Sequence, residues 1–199
     1  MIEIINISKE KPYQVFKSYY DSALLKKQKS IEAISISSFD LKTNEVESRF
    51  VNLKYIIGNE WTFFSNYESP KAMHFESHNQ ISALFYWQEL NLQIRLKSKI
   101  FKSSKNLSDN HFKNRSIEKN ALAISSSQSK LAYSHKAIRD SYNKILNETN
   151  SQTKRPLYWG GFTFVPYYFE FWEGHENRLN KRRVFKNKSD MWIESLLQP

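Results

Sequence analysis

The chain has 199 residues, of which 40% are hydrophobic and 15% aromatic, and its formal net charge is +10. This length and apolar content suffice to bury one core, so we expect a single domain over residues 1–199. The lack of cysteine excludes disulfides, thiolate metal ligands and thiol nucleophiles. No apolar run reaches the roughly 18 residues of a membrane span, and residues 1–6 lack signal-peptide features. The sequence therefore predicts a cytoplasmic protein without a membrane partner.

The net positive charge favours anionic partners. Excess Lys and Arg attract phosphates, either on nucleic acid or on small phosphorylated ligands. The basic residues are spread along the chain, however, and the densest cluster is the short run Lys181-Arg182-Arg183. No RNA-binding aromatic signature, zinc-finger spacing or helix-turn-helix pattern accompanies it. The charge alone favours a generally solvated basic surface first, a small phosphorylated ligand second and nucleic acid third, and with the motifs described below we expect a small phosphorylated ligand and no nucleic acid.

Two of the five histidines have a spacing of interest. His74 and His78 stand at i and i+4, the separation that places two ligands on one helix face. No third ligand lies near them in the sequence. We therefore expect two histidines on an exposed helix face and no metal site.

The first elements in the chain are a helix and a hairpin. Pro12 fits a first helical turn, and apolar residues then recur at three- and four-residue steps, which predicts an amphipathic helix over residues 12 to about 28. From Ile31 the period changes to two in the segments around Ile34 and Val51, with a polar turn at residues 42–44 between them. This pattern predicts a β-hairpin.

The rest of the chain alternates strands with a few helices. Ser69 is a candidate N-cap with Pro70 at the first helical position. One-sided strands without a βαβ rhythm favour a mainly β, largely antiparallel fold: a small barrel with peripheral helices. The predicted helices are 70–78, 109–114 and 129–147, and the predicted strands are 61–65, 81–87, 92–101, 161–172, 182–186 and 192–196.

The C-terminal part carries the most specific motifs. Trp159-Gly160-Gly161 is followed by Glu-Phe-Trp-Glu-Gly at 170–174 and by Arg-Leu-Asn-Lys-Arg at 178–182. This series resembles the pyridoxamine 5'-phosphate oxidases, which are FMN-dependent flavoproteins, and the resemblance extends over nearly the whole chain. It implies an FMN-binding split β-barrel, the family's C-terminal motif at 159–199, and a homodimer with FMN between the subunits.

A strand and a turn resemble family segments in which the Arg serves the flavin, the strand Lys reaches the substrate phosphate, and the turn holds a phosphate. Arg49 and Lys54 fit the family's Arg-x-x-x-Leu-Lys strand, and their odd separation directs them to opposite faces unless a bulge intervenes. In the turn that follows Phe64, the hydroxyl of Ser65, a helix N-terminus and Lys71 together favour an anion. Pro70 stands where the family has a second donor, so Lys71 is expected to carry more of the phosphate.

The resemblance implies a set of cofactor-binding residues. A Gln-Val-Arg-like strand supplies a flavin contact, a Gln-Ser pair is expected at a helix start, and the C-terminal series supplies a flavin wall and a flavin ligand. In a homodimer, Gln93, Trp172 and Arg182 would belong to the partner's side of the site. The full set is Arg49, Lys54, Phe64, Ser65, Lys71, Gln93, Gln128, Ser129, Trp172 and Arg182.

The implied substrate site keeps some family residues and changes others. Lys54, Arg115 and Arg178 are retained, with Arg178 over the substrate ring as the candidate catalytic residue. His111, Lys119 and Asn180 stand where the family has Tyr, Ser and His. His111 and Lys119 still donate to a phosphate, whereas Asn180 cannot titrate near neutral pH.

These residues imply an FMN-dependent oxidase that converts pyridoxamine or pyridoxine 5'-phosphate to pyridoxal 5'-phosphate and reduces O₂ to H₂O₂. Two alternatives stay open. One is an FMN oxidase of the same fold with a changed substrate, as in the phenazine-biosynthesis relatives. The other is a non-catalytic protein that binds FMN or pyridoxal phosphate.

Overall fold

The structure is a computed structural model that describes all 199 residues. Helices are α1 Lys11–Leu25, α2 Pro70–Ser77, α3 Lys105–Lys113, α4 Ile117–Ser125 and α5 His135–Glu148, with a 3-10 turn at Gln88–Leu90. Strands are β1 Glu3–Ile5, β2 Ala33–Asp40, β3 Glu45–Asn52, β4 Tyr55–Ile57, β5 Glu60–Asn66, β6 Gln80–Trp87, β7 Leu92–Lys102, β8 Trp159–Glu173, β9 Lys181–Lys188 and β10 Met191–Leu197.

All ten strands belong to one sheet. Its main path runs β1-β4-β5-β8-β7-β6-β2-β3, and β9 pairs with β8 and β10. Every pairing is antiparallel except that of β1 with β4. The antiparallel prediction is therefore confirmed for eight of the nine pairings. The sequence missed β1 and β4, because three-residue strands are too short to show alternation.

The long strand β8 organises the sheet and begins with the Trp-Gly-Gly motif. A Cβ at Gly160 would lie 2.2 Å from the hydroxyl of Tyr67, and one at Gly161 would lie 2.4 Å from Oγ of Ser103. Only glycine leaves room for these neighbours, since real Cβ atoms do not approach so closely. The motif is thus explained by packing at the start of β8.

The core lies between α1 and the sheet, and aromatic rings dominate it. Phe16 of α1 packs against Trp61 of β5 at a centroid distance of 4.5 Å and against Trp87 of β6 at 5.7 Å. The predicted amphipathic helix is confirmed, although it ends at Leu25, and Lys27 already has a left-handed φ of 57°. None of the five helices is both long and apolar enough to cross a bilayer.

The hairpin of β2 and β3 is confirmed and forms one end of the main strand path. In β2, Ile34, Ile36 and Ser38 are buried, while most of β3 is exposed. The register sets Ile36 opposite Arg49. Because α2 packs against β2, the inner face of this hairpin lies next to the start of α2.

Three helices differ from the sequence expectation, and one of them, α3, begins at Lys105 instead of Asp109. The helix predicted from Ser129 begins at His135, since Ser129 has a left-handed φ of 66° and Ser134 is the N-cap that accepts from the amide of Ala137. The helix α4 was not predicted. It begins after Ser116, whose side chain accepts from the amide of Lys119.

The expectation of two exposed histidines is wrong for His74. Its side chain is buried between α2 and β2, and Nδ1 lies 3.1 Å from Oγ of Ser38. His78 is half-buried at the C-terminal end of α2, with Phe39 edge-on to its ring. The spacing alone could not reveal this, because the packing of α2 decides which helix face is covered.

Candidate functional site

A basic cavity of about 600 Å³ lies where the hairpin, the end of β5, the start of α2 and the α3–α4 connection meet. Five of its lining residues are Lys or Arg and only one is acidic, so the cavity favours anions. We call it the basic cavity. Its lining residues are Glu47, Ser48, Arg49, Phe50, Val51, Asn52, Lys54, Phe64, Ser65, Lys71, His111, Arg115, Lys119, Gln128, Ser129 and Trp159.

Lys71 forms a hydroxyl-lined corner of the basic cavity. Its Nζ donates to Oγ of Ser65 and to Oγ of Ser69, both at 3.2 Å, and all three side chains are buried. Ser69 occupies the predicted N-cap position, but its hydroxyl donates to the carbonyl of Asn66 instead of capping α2. The helix N-terminus, the hydroxyls and the ammonium group thus converge at one point.

The ammonium group of Lys71 forms no salt bridge. Burial, and secondarily the nearby charge of Arg49, lowers the pKa of Lys71 to about 8, although the charge of Glu47 acts to raise it. A buried cation without a counter-ion is unfavourable unless an anion joins it. This corner is therefore built to receive a negatively charged group.

Arg49 and Lys54 line the same cavity, which corrects the expectation of opposite faces. The parity argument holds only within a strand, and β3 ends at Asn52, two residues before Lys54. The backbone amide of Lys54 donates to the carbonyl of Thr62 at 2.8 Å and ties the segment to β5. Leaving the strand lets Lys54 turn toward the cavity.

Stacked rings form one wall of the basic cavity. His111 lies on Phe64 with ring centroids 3.7 Å apart, and Phe64 stacks in turn on Trp159 at 5.5 Å. The guanidinium of Arg115 lies 4.3 Å from the ring centroid of Trp159. Such a wall excludes water and holds the cation of Arg115 in place.

Burial lowers the pKa of both basic groups in this wall. It lowers the pKa of His111 to about 4, with a further contribution from the charges of Arg115, Lys54 and Lys119. It also lowers the pKa of Arg115 to about 10. His111 is thus neutral at physiological pH, and its Nδ1 lies 2.7 Å from the hydroxyl of Tyr55.

One donor of Arg115 has no partner. Its Nη2 donates to the carbonyl of Lys119 at 3.0 Å, but its Nη1 is buried and makes no hydrogen bond. An unsatisfied buried donor is costly, so this atom points to a missing acceptor. Lys119 lines the same part of the basic cavity and adds another cation.

Gln128 and Ser129 reach the cavity from a loop and not from a helix start. The Oε1 of Gln128 accepts from Oγ of Ser65 at 3.4 Å and from the amide of Asn66 at 3.3 Å. The loop is therefore tied to the Lys71 corner. The two residues stay in the predicted site, and only their structural context changes.

Five predicted site residues do not line the basic cavity. Gln93 of β7, Trp172 of β8 and Arg182 of β9 are cross-strand neighbours in a row. Arg178, with a left-handed φ of 59°, and Asn180 lie in the turn that joins β8 to β9. The prediction that Gln93, Trp172 and Arg182 serve a partner's site stays a prediction.

Glu170 anchors that row on the face of β8 opposite to the core residues Phe169 and Phe171. It is only 2% exposed, and Arg182 donates to its Oε1 from Nε at 2.9 Å and from Nη2 at 2.7 Å. Its Oε2 accepts from Arg95 at 3.0 Å and from Tyr168 at 2.9 Å. Burial and this last bond raise the pKa of Tyr168 to about 12.

Sequence reasoning missed several residues of the site. Trp159 belongs to a recognised motif, and its place before two glycines was a usable signal. Glu47 lies two residues before Arg49 and belongs to no motif. Its Oε2 nevertheless lies 2.7 Å from Nη2 of Arg49. Tyr55 contacts the wall residues His111 and Phe64, and no pattern in the sequence marks it.

Comparison with known proteins decides the family. Residues 159–199 match the family model described as the pyridoxine 5'-phosphate oxidase C-terminal dimerisation region. The pyridoxine/pyridoxamine 5'-phosphate oxidase of Legionella pneumophila (strain Lens) is 31% identical over 189 residues, covering 94% of this chain and 87% of the relative. The chain belongs to the pyridoxine/pyridoxamine 5'-phosphate oxidase family. A member from Leptospira biflexa serovar Patoc is 32% identical over 190 residues, covering 94% of this chain and 89% of its own length.

Solved structures show the fold of this oxidase-family chain. PhzG from Burkholderia lata 383, in complex with tetrahydrophenazine-1-carboxylic acid, superimposes with a TM-score of 0.89 at 22% identity, covering 95% of this chain and 93% of PhzG. A pyridoxamine 5'-phosphate oxidase-related, FMN binding protein from Nostoc punctiforme PCC 73102 gives 0.77 at 10% identity, covering 96% and 99%. The predicted split β-barrel with peripheral helices is confirmed.

Proposed function

We propose that this protein is an FMN-dependent oxidase that converts pyridoxamine or pyridoxine 5'-phosphate to pyridoxal 5'-phosphate, with O₂ reduced to H₂O₂. The observation that carries the proposal is the basic cavity, where ten of the fifteen predicted site residues come together. They come from segments far apart in the chain, so sequence proximity does not explain their meeting. Family membership supports the same chemistry.

The residues present fit FMN. The corner formed by Lys71, Ser65 and Ser69 offers a cation and two hydroxyls, and Arg49 lies on the same cavity wall. A phosphate bound there would supply the anion that buried Lys71 lacks. We assign this end to the FMN phosphate, with Gln128 and Ser129 as additional donors from the loop.

The other end of the cavity fits the phosphate of a substrate. Lys54, Arg115 and Lys119 provide three cations, and the buried Nη1 of Arg115 needs an acceptor. His111 is neutral because its pKa is about 4, so it offers a hydrogen bond and no charge. A phosphate monoester would accept a hydrogen bond from Nη1 of Arg115. It would also form charge-assisted contacts with Lys54 and Lys119.

The flavin ring requires a second copy of the chain. Gln93, Trp172 and Arg182 form a row on one face of the sheet, away from the basic cavity. We propose a homodimer in which this row closes the partner's cavity. The match of residues 159–199 to a dimerisation region supports this arrangement.

The protein's contribution to the reaction is mainly positioning. FMN held by Lys71, Ser65 and Arg49 would supply the redox chemistry that links oxidation of the substrate to reduction of O₂. Lys54, Arg115 and Lys119 hold the substrate phosphate, the ring stack of Phe64, His111 and Trp159 excludes water, and Arg178 of the partner covers the substrate ring. Fixing two ligands in one geometry is a large part of catalysis.

A second candidate is an oxidase of the same fold with a different anionic substrate. The changed residues His111 and Lys119 favour it, because they line the substrate end of the basic cavity. The PhzG structure holds a carboxylic acid, and the fold is shared with it. Three cations at the substrate end fit a carboxylate as well as a phosphate.

The test is peroxide release by FMN-loaded protein. We expect yellow protein that forms H₂O₂ with pyridoxine or pyridoxamine 5'-phosphate and much less with the unphosphorylated vitamers. K54M should raise KM for the phosphorylated substrates. Yellow protein that releases no peroxide would favour the changed-substrate oxidase or a non-catalytic binder, and protein that cannot be loaded with FMN would contradict the whole proposal.

A further inference from the structure

We propose that Ser38 and His74 are positioning residues that hold the guanidinium of Arg49 in place for the FMN phosphate. This inference rests on the proposed function, since it assigns Arg49 to that phosphate. Neither residue belongs to a motif that the sequence singled out for the cofactor, and neither lines the basic cavity. They act on the cavity from behind its wall.

The first link joins Arg49 to Ser38 across the hairpin. Nη1 of Arg49 donates to Oγ of Ser38 at 2.7 Å and, with a longer contact of 3.3 Å, to the carbonyl of Ile36. Nη2 of Arg49 pairs with Glu47, but the side chain of Glu47 is 52% exposed, and an exposed pair restrains little. The buried hydroxyl is therefore the firmer anchor.

The second link joins Ser38 to His74 of α2. Oγ of Ser38 lies 3.1 Å from Nδ1 of His74, and Nε2 of His74 lies 3.4 Å from Oδ2 of Asp40. In the neutral ring, a proton on Nε2 faces the Asp40 carboxylate and leaves Nδ1 as an acceptor. The hydroxyl of Ser38 then donates to His74 and presents its lone pairs to Arg49.

This arrangement gives the buried polar atoms of Ser38 and His74 partners within the protein. Ser38 is 2% exposed and His74 is 4% exposed, so neither can rely on water for its hydrogen bonds. Oγ of Ser38 could not act as a nucleophile toward a substrate, because it is buried and already accepts from a cation. The chain of contacts therefore holds Arg49 in place and provides no reactive group.

The consequence for the cofactor is preorganisation. A free arginine side chain loses rotamer entropy when it binds a phosphate, and an arginine held in advance loses less. The hydroxyl of Ser38 fixes Nη1 on the hairpin side and leaves Nε for the ligand, and Nη2 becomes available when it releases the exposed carboxylate of Glu47. Removing the anchor should weaken the phosphate contact and leave contacts to the flavin ring unchanged.

The experiment compares FMN with riboflavin, which lacks the phosphate, by quenching of flavin fluorescence on titration with apoprotein. S38A removes the hydroxyl oxygen and should weaken the affinity for FMN about tenfold, while the affinity for riboflavin stays constant. A tenfold change is the effect of losing one hydrogen bond to a charged group. H74L should do the same. H74N should restore affinity to within about threefold of wild type, since its amide oxygen can accept at the position of Nδ1.

Two further variants sharpen the result. S77A removes a hydroxyl that donates to the carbonyl of His74 at 3.1 Å, so it perturbs the same helix without touching the ring, and it should bind FMN as wild type does. The double variant S38A/H74L should bind FMN no more weakly than S38A does, because both changes break the same chain of contacts.

The outcomes separate this inference from the proposed function. If wild-type protein binds FMN but S38A binds it equally well, the positioning role is wrong and the FMN site stands. Equal losses for FMN and riboflavin would also overturn the inference, because they would mean a general structural defect. If wild-type protein binds neither flavin, the proposed function itself fails.

Discussion

The imidazole of His111 lies face to face on the phenyl ring of Phe64, with centroids 3.7 Å apart and planes inclined by only 9°. The hydroxyl of Tyr55 fixes the ring in its own plane through Nδ1 at 2.7 Å. His111 is therefore held as a neutral, rigid part of the cavity wall. Its neutrality makes the stability of the protein sensitive to pH.

We predict that His111 lowers stability as the solution becomes acidic. Its pKa falls from the model-compound value of 6.5 to about 4 on folding, so the unfolded chain binds the proton more tightly. The stability it contributes is complete above pH 6.5 and is lost as the pH falls from 6.5 to 4. Urea unfolding at pH 7 and pH 5 should show a larger loss for wild type than for H111F, which keeps the stacked ring but cannot titrate. Equal losses would mean that His111 is protonated in the folded protein.

Lys71 leads to a prediction about cofactor affinity. Burial lowers the pKa of this ammonium group to about 8, and a bound phosphate would raise it again. FMN should therefore bind more weakly as the pH rises through about 8, by up to tenfold per pH unit. K71R keeps its charge throughout and should show a flat profile between pH 7 and pH 9. If wild type and K71R follow the same profile, Lys71 is not the titrating group.

Glu170 should be more important for stability than any exposed ion pair. It is 2% exposed and neutralises both Arg182 and Arg95. E170A leaves Arg182, whose side chain is 26% exposed, without its carboxylate partner and should cost about 1–3 kcal/mol of unfolding free energy. R95Q is the matched control: Arg95 is 48% exposed, and its loss should cost less than about 1 kcal/mol. Urea titrations measure both. Equal costs would contradict the anchoring role of Glu170.

Much of the fold followed from periodicity, because the strands bury one face and α1 buries one stripe. The hairpin, the strand β7 with Leu92 and Ile94 inward, and the helix at Pro70 are all where the sequence predicts them. The start of α5 was wrong because a serine next to a glutamine gives the same local signal in a loop as at a cap. Ser134 supplies the cap instead.

The site was less predictable than the fold, for a physical reason. Motifs mark residues that touch a ligand, and ten of those predicted do line one cavity. Residues that act through a neighbour, such as His74 behind Ser38, carry no motif. Their role depends on how α2 packs against β2, and i, i+4 spacing says nothing about that. A single chain likewise leaves the row of Gln93, Trp172 and Arg182 apart from the cavity.

Asn180 offers a test of substrate identity. Its Oδ1 accepts from the amide of His175 at 3.0 Å, so it supports the turn that carries Arg178. N180H restores the family's ring contact and should raise kcat/KM for pyridoxine 5'-phosphate about tenfold, the effect of one positioning contact. N180A loses the turn hydrogen bond without adding a ring contact and should not raise the rate. If N180H gains no more than N180A, Asn180 does not face the substrate.

The central claim is that one FMN site combines the basic cavity of one chain with Trp172 of another. Mixed dimers of R49M and W172A chains, isolated with two different affinity tags, test it directly. We expect one FMN of wild-type affinity per mixed dimer, because one site then carries both defects and the other carries none. Both parent dimers should bind at least about tenfold more weakly. A mixed dimer without any site of wild-type affinity would contradict the account, since it would mean that Arg49 and Trp172 serve the same site from the same chain.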